Sequence, residues 1–203
     1  MLMATLSLTA LIGCSSAPTK STPAEKPQPK GPEFALARTA FQKTYVAARG
    51  WAPDAKPFRL ESVNTTDSTG KDGKSSVWRA SYASAAQKEV KPYLWSGTDA
   101  EGAPARGVSF GSVDSYNPTN SSTVIFDIAF LKVDSDKALE VAQKHGGDKL
   151  LEKTPDLPVW YVLDWNRATN ELVWHVSYGE SRDTPKLNIA VNASTGDFIR
   201  VEK

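Results

Sequence analysis

The sequence predicts an α+β protein made of two tandem repeats, each one helix packed on an antiparallel sheet of three or four strands. Three observations point there. First, Val77-Trp78-Arg79-Ala80-Ser81-Tyr82 recurs as Val173-Trp174-His175-Val176-Ser177-Tyr178, with Val, Trp, Ser and Tyr at the same spacing. Second, the flanks of the two hexapeptides agree in order and character. Third, the strand-like runs alternate apolar and polar residues with period two, as half-buried antiparallel strands do. Self-similarity carried through a whole run of elements marks a duplication with diverged loops.

The first repeat is assigned to residues 33–133. It begins with EFALARTAFQKTYVAARG (33–50), where Leu36, Ala37, Ala40, Phe41, Thr44, Tyr45 and Ala48 recur at helical spacing. Pro32 stands near the expected first turn and Gly50 near the expected end, the usual polarity of these residues. The strand-like run PFRLESV (57–63), the turn DSTGKDGK (67–74) and the hexapeptide follow. KPYLWSG (91–97) and the turn DAEG complete the set, and residues 106–115 and 122–132 (STVIFDIAFLK) add two more strand-like runs.

The second repeat is assigned to residues 134–203. Its helix is DSDKALEVAQKHGG (134–147), with Asp134 or Ser135 as cap, Ala138, Leu139 and Ala142 as the apolar stripe, and Gly146-Gly147 as the stop. PVWYVLDW (158–165), the turn NRATNE (166–171), the hexapeptide, KLNIAVN (186–192) and the turn ASTG follow. In the hexapeptide strand Trp174, Val176 and Tyr178 point one way, and Val173, His175 and Ser177 the other.

Ahead of the repeats, Met3 to Ile12 form an apolar run too short to cross a bilayer, which takes roughly 20 residues. It has the length of a signal-peptide core and ends in Leu11-Ile12-Gly13-Cys14. Those four residues resemble the bacterial lipobox. The resemblance implies a signal peptide at 1–13, cleavage before Cys14 and a membrane lipid attached through its sulfur. Cys14 is the only cysteine, and an anchor explains a lone thiol better than a buried one does, because a polar linker follows. The first charge is Lys20, whereas signal peptides open with Lys or Arg, which leaves room for a start a few codons upstream. Ser15 in place of Asp favours, by resemblance to Gram-negative lipoproteins, the outer membrane on its periplasmic side, if the cell is Gram-negative. Residues 14–32 are rich in Pro, Ser, Thr and Lys and nearly empty of large apolar side chains. Such a stretch cannot offset its chain entropy by burial and reads as a tether.

Composition excludes several classes. Lys and Arg number 24 against 23 Asp and Glu, and no basic stripe is present, so nucleic acid is not an expected partner. The two histidines, His145 and His175, and the one cysteine are too few for a His/Cys metal site. Asp67-Ser68-Thr69-Gly70-Lys71-Asp72-Gly73 lacks the acidic spacing and final Glu of a calcium loop, so it reads as a hairpin turn. No G-x-S-x-G or other nucleophile motif occurs. His145 is expected to sit at a helix C-terminus, where an imidazole suits the dipole. Trp78 and Trp174 are expected in the core. Trp160 and His175 are expected together on the freer sheet face, as contacts for a partner, the alternative being that the segment between the repeats covers Trp160. Neither a cofactor nor a catalytic residue is expected.

The second repeat resembles the PepSY domain family, carried by DKALEVAQKHGG, LVWHVSYG and LNIAVNASTGDFIRVEK. The family's small-residue "dA-TG" turn is matched by Asn192-Ala193-Ser194-Thr195-Gly196, with Asn for Asp. A tandem of such units is also similar to the beta-lactamase inhibitor protein fold, in which two helix-plus-sheet repeats form one concave surface. These resemblances imply a non-catalytic, membrane-anchored module of the cell envelope that binds an unknown envelope or secreted protein, inhibition of an enzyme being one form. The alternative is an accessory subunit or assembly factor of an envelope complex. An enzyme with an unfamiliar carboxylate site is the third and least favoured reading.

Overall fold

A computed structural model describes residues 30–202. Cys14, the signal segment and all but the end of the tether lie outside the described residues. Ala35–Leu36 (β1) leads directly into the helix Ala37–Trp51 (α1). Lys56–Val63 (β2), the short Lys74–Ser75 (β3), Val77–Ser84 (β4), Glu89–Ser96 (β5), Gly107–Phe110 (β6) and Asp114–Ser115 (β7) follow. The chain then forms Ser135–Ala142 (α2), a wide turn at Gln143–Gly147 and Asp148–Lys153 (α3). It closes with Val159–Asn166 (β8), Glu171–Tyr178 (β9), Leu187–Asn192 (β10) and Phe198–Glu202 (β11).

The class is α+β, but the three- to four-stranded sheets expected for each half are not separate. One nine-stranded antiparallel sheet runs β11-β10-β9-β8-β2-β4-β5-β6, with β7 also on β5. Its centre is the pairing of β2 with β8, Arg59 opposite Asp164 and Glu61 opposite Val162. Period-two alternation specifies which face a strand buries, not which strand lies beside it, so the joining of the halves was not readable. The helices cover one face. Against them lie Leu60, Trp78, Ala80, Tyr82, Tyr161, Leu163, Trp174, Val176, Tyr178, Ile189 and Val191, all buried.

The helix boundaries also shift, for identifiable reasons. α1 starts at Ala37 and Pro32 lies ahead of it, because Ala35 and Leu36 pair with Ser75 and Lys74 instead. Gly50 falls inside the last turn. Leu36 gives α1 no side-chain cap. The cap comes from the other half: Ser135 Oγ accepts from Ala37 N at 3.0 Å, and Asp134 Oδ1 accepts from Arg38 N at 3.0 Å. The same Asp134 oxygen accepts from Ser135 N at 2.8 Å and caps α2. One Asp-Ser pair thus satisfies orphan amide groups of both helix starts. α2 breaks where Gly146 adopts φ 120°, as the glycines suggested. The chain then resumes as α3, for which DKLLEK is too short a run to signal alone. His145 stacks on Phe198, ring centroids 3.7 Å apart.

The run 122–132 is not a strand. It forms two 3-10 turns, Ser121–Thr123 and Ile128–Phe130, capped by Asn120 and Asp127. Phe126 and Leu131 alone among its large apolar residues are buried, and a spacing of five fits no strand face. The hairpin turn 67–74 is as expected. Tyr161 Oη donates to Gly70 O at 2.5 Å, and a Cβ on Gly70 would lie 2.1 Å from Val159 O. Only glycine lets the turn lie that close to β8. The described core lies between Ala35 and Ala193, within the compact unit that begins at Gly31, so that core is built without any residue before Ala35.

Candidate functional site

The helix-free face carries the polar half of the alternating strands. Antiparallel register lines up Arg79, Glu61, Val162, His175, Ala190 and Arg200 across six strands. Beside this row run Ser81, Arg59, Asp164 and Val173. Charges opposed in this way interact across strands.

Glu61 is the hub. Its side chain is 5% exposed, while Arg59, Arg79 and Arg182 around it are 36, 44 and 35% exposed. Arg59 Nε donates to Glu61 Oε2 at 3.0 Å and Arg79 Nη1 reaches Oε1 at 3.1 Å. Arg182 Nη1 donates to Oε2 from the β9–β10 connection. That connection is fixed at its base by Trp160, whose indole Nε1 donates to Gly179 O at 2.8 Å. Glu61, Arg79, Trp160 and the 180–183 stretch enclose a cleft of about 250 Å³. Its floor is a buried carboxylate, and its walls present guanidinium groups and half an indole.

His175 lies further along the same row. Its Nδ1 is 2.6 Å from Glu202 Oε2 and its Nε2 is 3.3 Å from Asp164 Oδ1. Burial favours the neutral ring. Hydrogen bonds to Asp164 and Glu202, and their charges, outweigh it and push His175 up to about 9. The His175 hydrogen bond in turn holds the Glu202 carboxyl below its ordinary range against burial, with help from Arg200. At neutral pH His175 is therefore a cation that clamps β8, β9 and β11. Both ring nitrogens are engaged, so the ring presents no free nitrogen to act as a general base.

This clamp has a definite pH window. His175 rises from 6.5, so its contribution is complete below about pH 6.5 and is lost as pH climbs through about 9. Glu202 is lowered from 4.5, so its share is present above that value and lost as pH falls through its folded pKa. Thermal unfolding of the wild type and His175→Gln should differ most between these limits and converge above about pH 9. A constant gap across that range would contradict the ion-pair assignment.

Of the residues expected at a site, the structure brings Trp160 and His175 to one face of adjacent strands. Trp160 pairs with Ser177 and His175 with Val162. Trp160 is half-buried against the 179–183 connection, and His175 is 21% exposed inside its ion pairs. Sequence reading missed Glu61, Arg79 and Arg182. Arg59, Glu61 and Arg79 had a signal, as charges on the polar phase of alternating strands. Arg182 lies in a turn with none. In the 67–74 hairpin, Asp67 accepts from the Thr98 hydroxyl at 2.6 Å, from Ser76 at 3.0 Å and from Thr65. Burial opposes its ionisation, but these hydroxyls outweigh it and hold the carboxyl low. Asp67 thus braces the turn. Among the described residues, no group of three or more His, Cys, Asp or Glu side chains is placed to hold a metal ion.

No family model matches the chain, and no curated protein matches it. Among solved structures it is similar to a protein of Clostridium difficile 630 described as a candidate lipoprotein, with a TM-score of 0.51 and 12% identity over 80% of this chain and 91% of that one. At this identity the likeness is one of fold.

Proposed function

We propose that the chain is a lipid-anchored protein of the bacterial cell envelope whose body binds another envelope or secreted protein and performs no chemistry of its own. The observation that carries this reading is the helix-free face. Helices cover one side of the nine-stranded sheet, and the other side holds Trp160 beside arginines fixed around a buried Glu61. Side chains already ordered before binding lose little entropy on contact, and Trp and Arg are the residue types that dominate binding energy. His175 belongs to this face as the group that fixes its strands.

The anchor rests on the lipobox resemblance at Cys14, and Ser15 after it would place the body at the periplasmic side of the outer membrane if the cell is Gram-negative. The fold likeness to a candidate lipoprotein is in keeping with it. The tandem PepSY-like arrangement of 33–133 and 134–203 gains support from equivalent contacts around Trp78 and Trp174. Trp78 Nε1 donates to Ala35 O and Trp174 Nε1 to Val133 O, both at 2.9 Å. Each carbonyl stands two residues ahead of a helix start. The NASTG turn has a matching role: Ala193 O accepts from Lys132 N and Val133 N and fixes the lead-in to α2.

Affinity capture from solubilised envelope and secreted fractions tests this. The body should retain one dominant protein, and Trp160→Ala and the Trp160→Ala/His175→Ala pair should lose it while unfolding cooperatively. Retention by a folded double variant would remove this face from the proposal. The partner's identity separates an inhibitor, seated on a catalytic domain, from an accessory subunit that co-purifies in a fixed ratio.

A further inference from the structure

A second feature lies on the opposite side of the molecule. The wide turn, α3 and the start of β10 enclose a shallow groove of about 250 Å³ lined by Gly146, Lys149, Leu150, Lys153, Lys186 and Leu187. Leu150 and Leu187 form its floor. Three lysines form its rim, each with an exposed side chain. No carboxylate lines it: Asp148 and Glu152, the acidic residues of α3, are not part of its lining. Lys149 and Lys153 stand one helical turn apart, which puts both on one face, and Lys186, immediately ahead of β10, completes the triangle. Among the described residues none of the three has an ion-pair partner. Other exposed lysines, Lys56, Lys88 and Lys132 among them, also lack an ion-pair partner among the described residues; what sets this triad apart is its convergence around two leucines with no carboxylate in the lining.

We propose that this groove docks the body onto an anionic lipid bilayer. Lysine ammonium groups around an apolar floor match a surface of lipid phosphates above acyl chains. The sign is complementary, and the overall charge of +1 supplies no general attraction that would do the same without the groove. The 17 residues from Cys14 to Lys30 span at most roughly 60 Å, so a bilayer anchored at Cys14 stays within reach of the body. Leu187 pairs with Tyr178 on the helix-bearing side of the sheet. Docking there turns the helix-free face away from the lipid and leaves it open to a partner. The proposal rests on the anchored reading only for which membrane is nearby. The groove's affinity is measured without the anchor, so the two fail separately.

The test is co-sedimentation of the body from Gly31 onward, free of the signal and Cys14, with lipid vesicles at low salt. Vesicles of phosphatidylglycerol and phosphatidylcholine should bind it, and phosphatidylcholine alone should not. Lys149→Gln/Lys153→Gln/Lys186→Gln should lower partitioning on the order of 100-fold, at about one order of magnitude or less per lysine. Lys56→Gln/Lys88→Gln/Lys132→Gln, three exposed lysines elsewhere, should change it far less, and added salt should weaken binding. An equal fall in both triple variants, equal binding to neutral vesicles, or no binding at all overturns the proposal. So does tighter binding of a soluble acidic polypeptide than of vesicles, which would make the groove a site for an acidic protein segment.

Discussion

Glu61→Gln should lower the stability of the body by about 3 kcal/mol, with a fall in melting temperature of roughly 6–12 °C. The Glu61 side chain is 5% exposed and bridges Arg59, Arg79 and Arg182. Removing its charge leaves Arg79 and Arg182 without their carboxylate partner, and Arg59 with only Asp164, 3.4 Å from its Nη1. Breaking one partner out of a buried ion cluster costs about 3–5 kcal/mol, because the remaining charges stay where they are. The arginines are each more than a third exposed, so water relieves part of the repulsion and the lower end of that range applies. The deficit should shrink as salt is added, since exposed like charges are screened over about 8–10 Å at ordinary ionic strength. A loss under about 1 kcal/mol, insensitive to salt, would show that Glu61 does not hold this face together. The same substitution should loosen the 179–185 connection, because Arg182 reaches the sheet through that carboxylate.

The largest single effect should come from Trp174→Ala, at about 3–5 kcal/mol, with Trp78→Ala close behind or equal to it. Both indoles are fully buried in one core cluster. Truncation removes their apolar surface, opens a cavity in a close-packed interior and leaves a carbonyl ahead of a helix without its donor. Against a typical domain stability of about 5–15 kcal/mol, either variant would stand near the threshold of folding. Trp→Phe at the same sites keeps most of the volume and should cost less than half as much. Denaturant unfolding of the four variants checks both points. Similar losses at 78 and 174 are expected if the two sites are equivalent, and a difference above about 2 kcal/mol would argue against a duplicated core.

The sequence carried the element order well because burial imposes a period. Trp174, Val176 and Tyr178 on one phase and His175 and Ser177 on the other reveal a strand with one covered face. It did not carry the pairing of β2 with β8, since any two strands with free edges and matching phase can pair. The run VIFDIAFL was misleading for a physical reason. Apolar content alone suggested a strand, but only Phe126 and Leu131 find the core, and Asp127 caps a 3-10 turn. At the candidate site, Trp160 and His175 were found through strand phase. Glu61 gains its meaning only from three arginines on β2, β4 and a distant connection, a convergence created by tertiary structure. The lysine groove was invisible for the same reason: Lys186 is nearly forty residues from Lys149 in the chain.

The central proposal is that the helix-free face is the one that meets a protein partner. Photo-cross-linking in cells tests it most directly, with a photoreactive residue placed at Ser81 or Arg79 on that face, or at Val46 on the exposed side of α1, which is 73% exposed. The first two positions should yield one discrete adduct of higher mass, abolished by Trp160→Ala, and Val46 should yield none. An adduct from Val46 with none from Ser81 or Arg79 would place the partner on the helices and contradict the proposal.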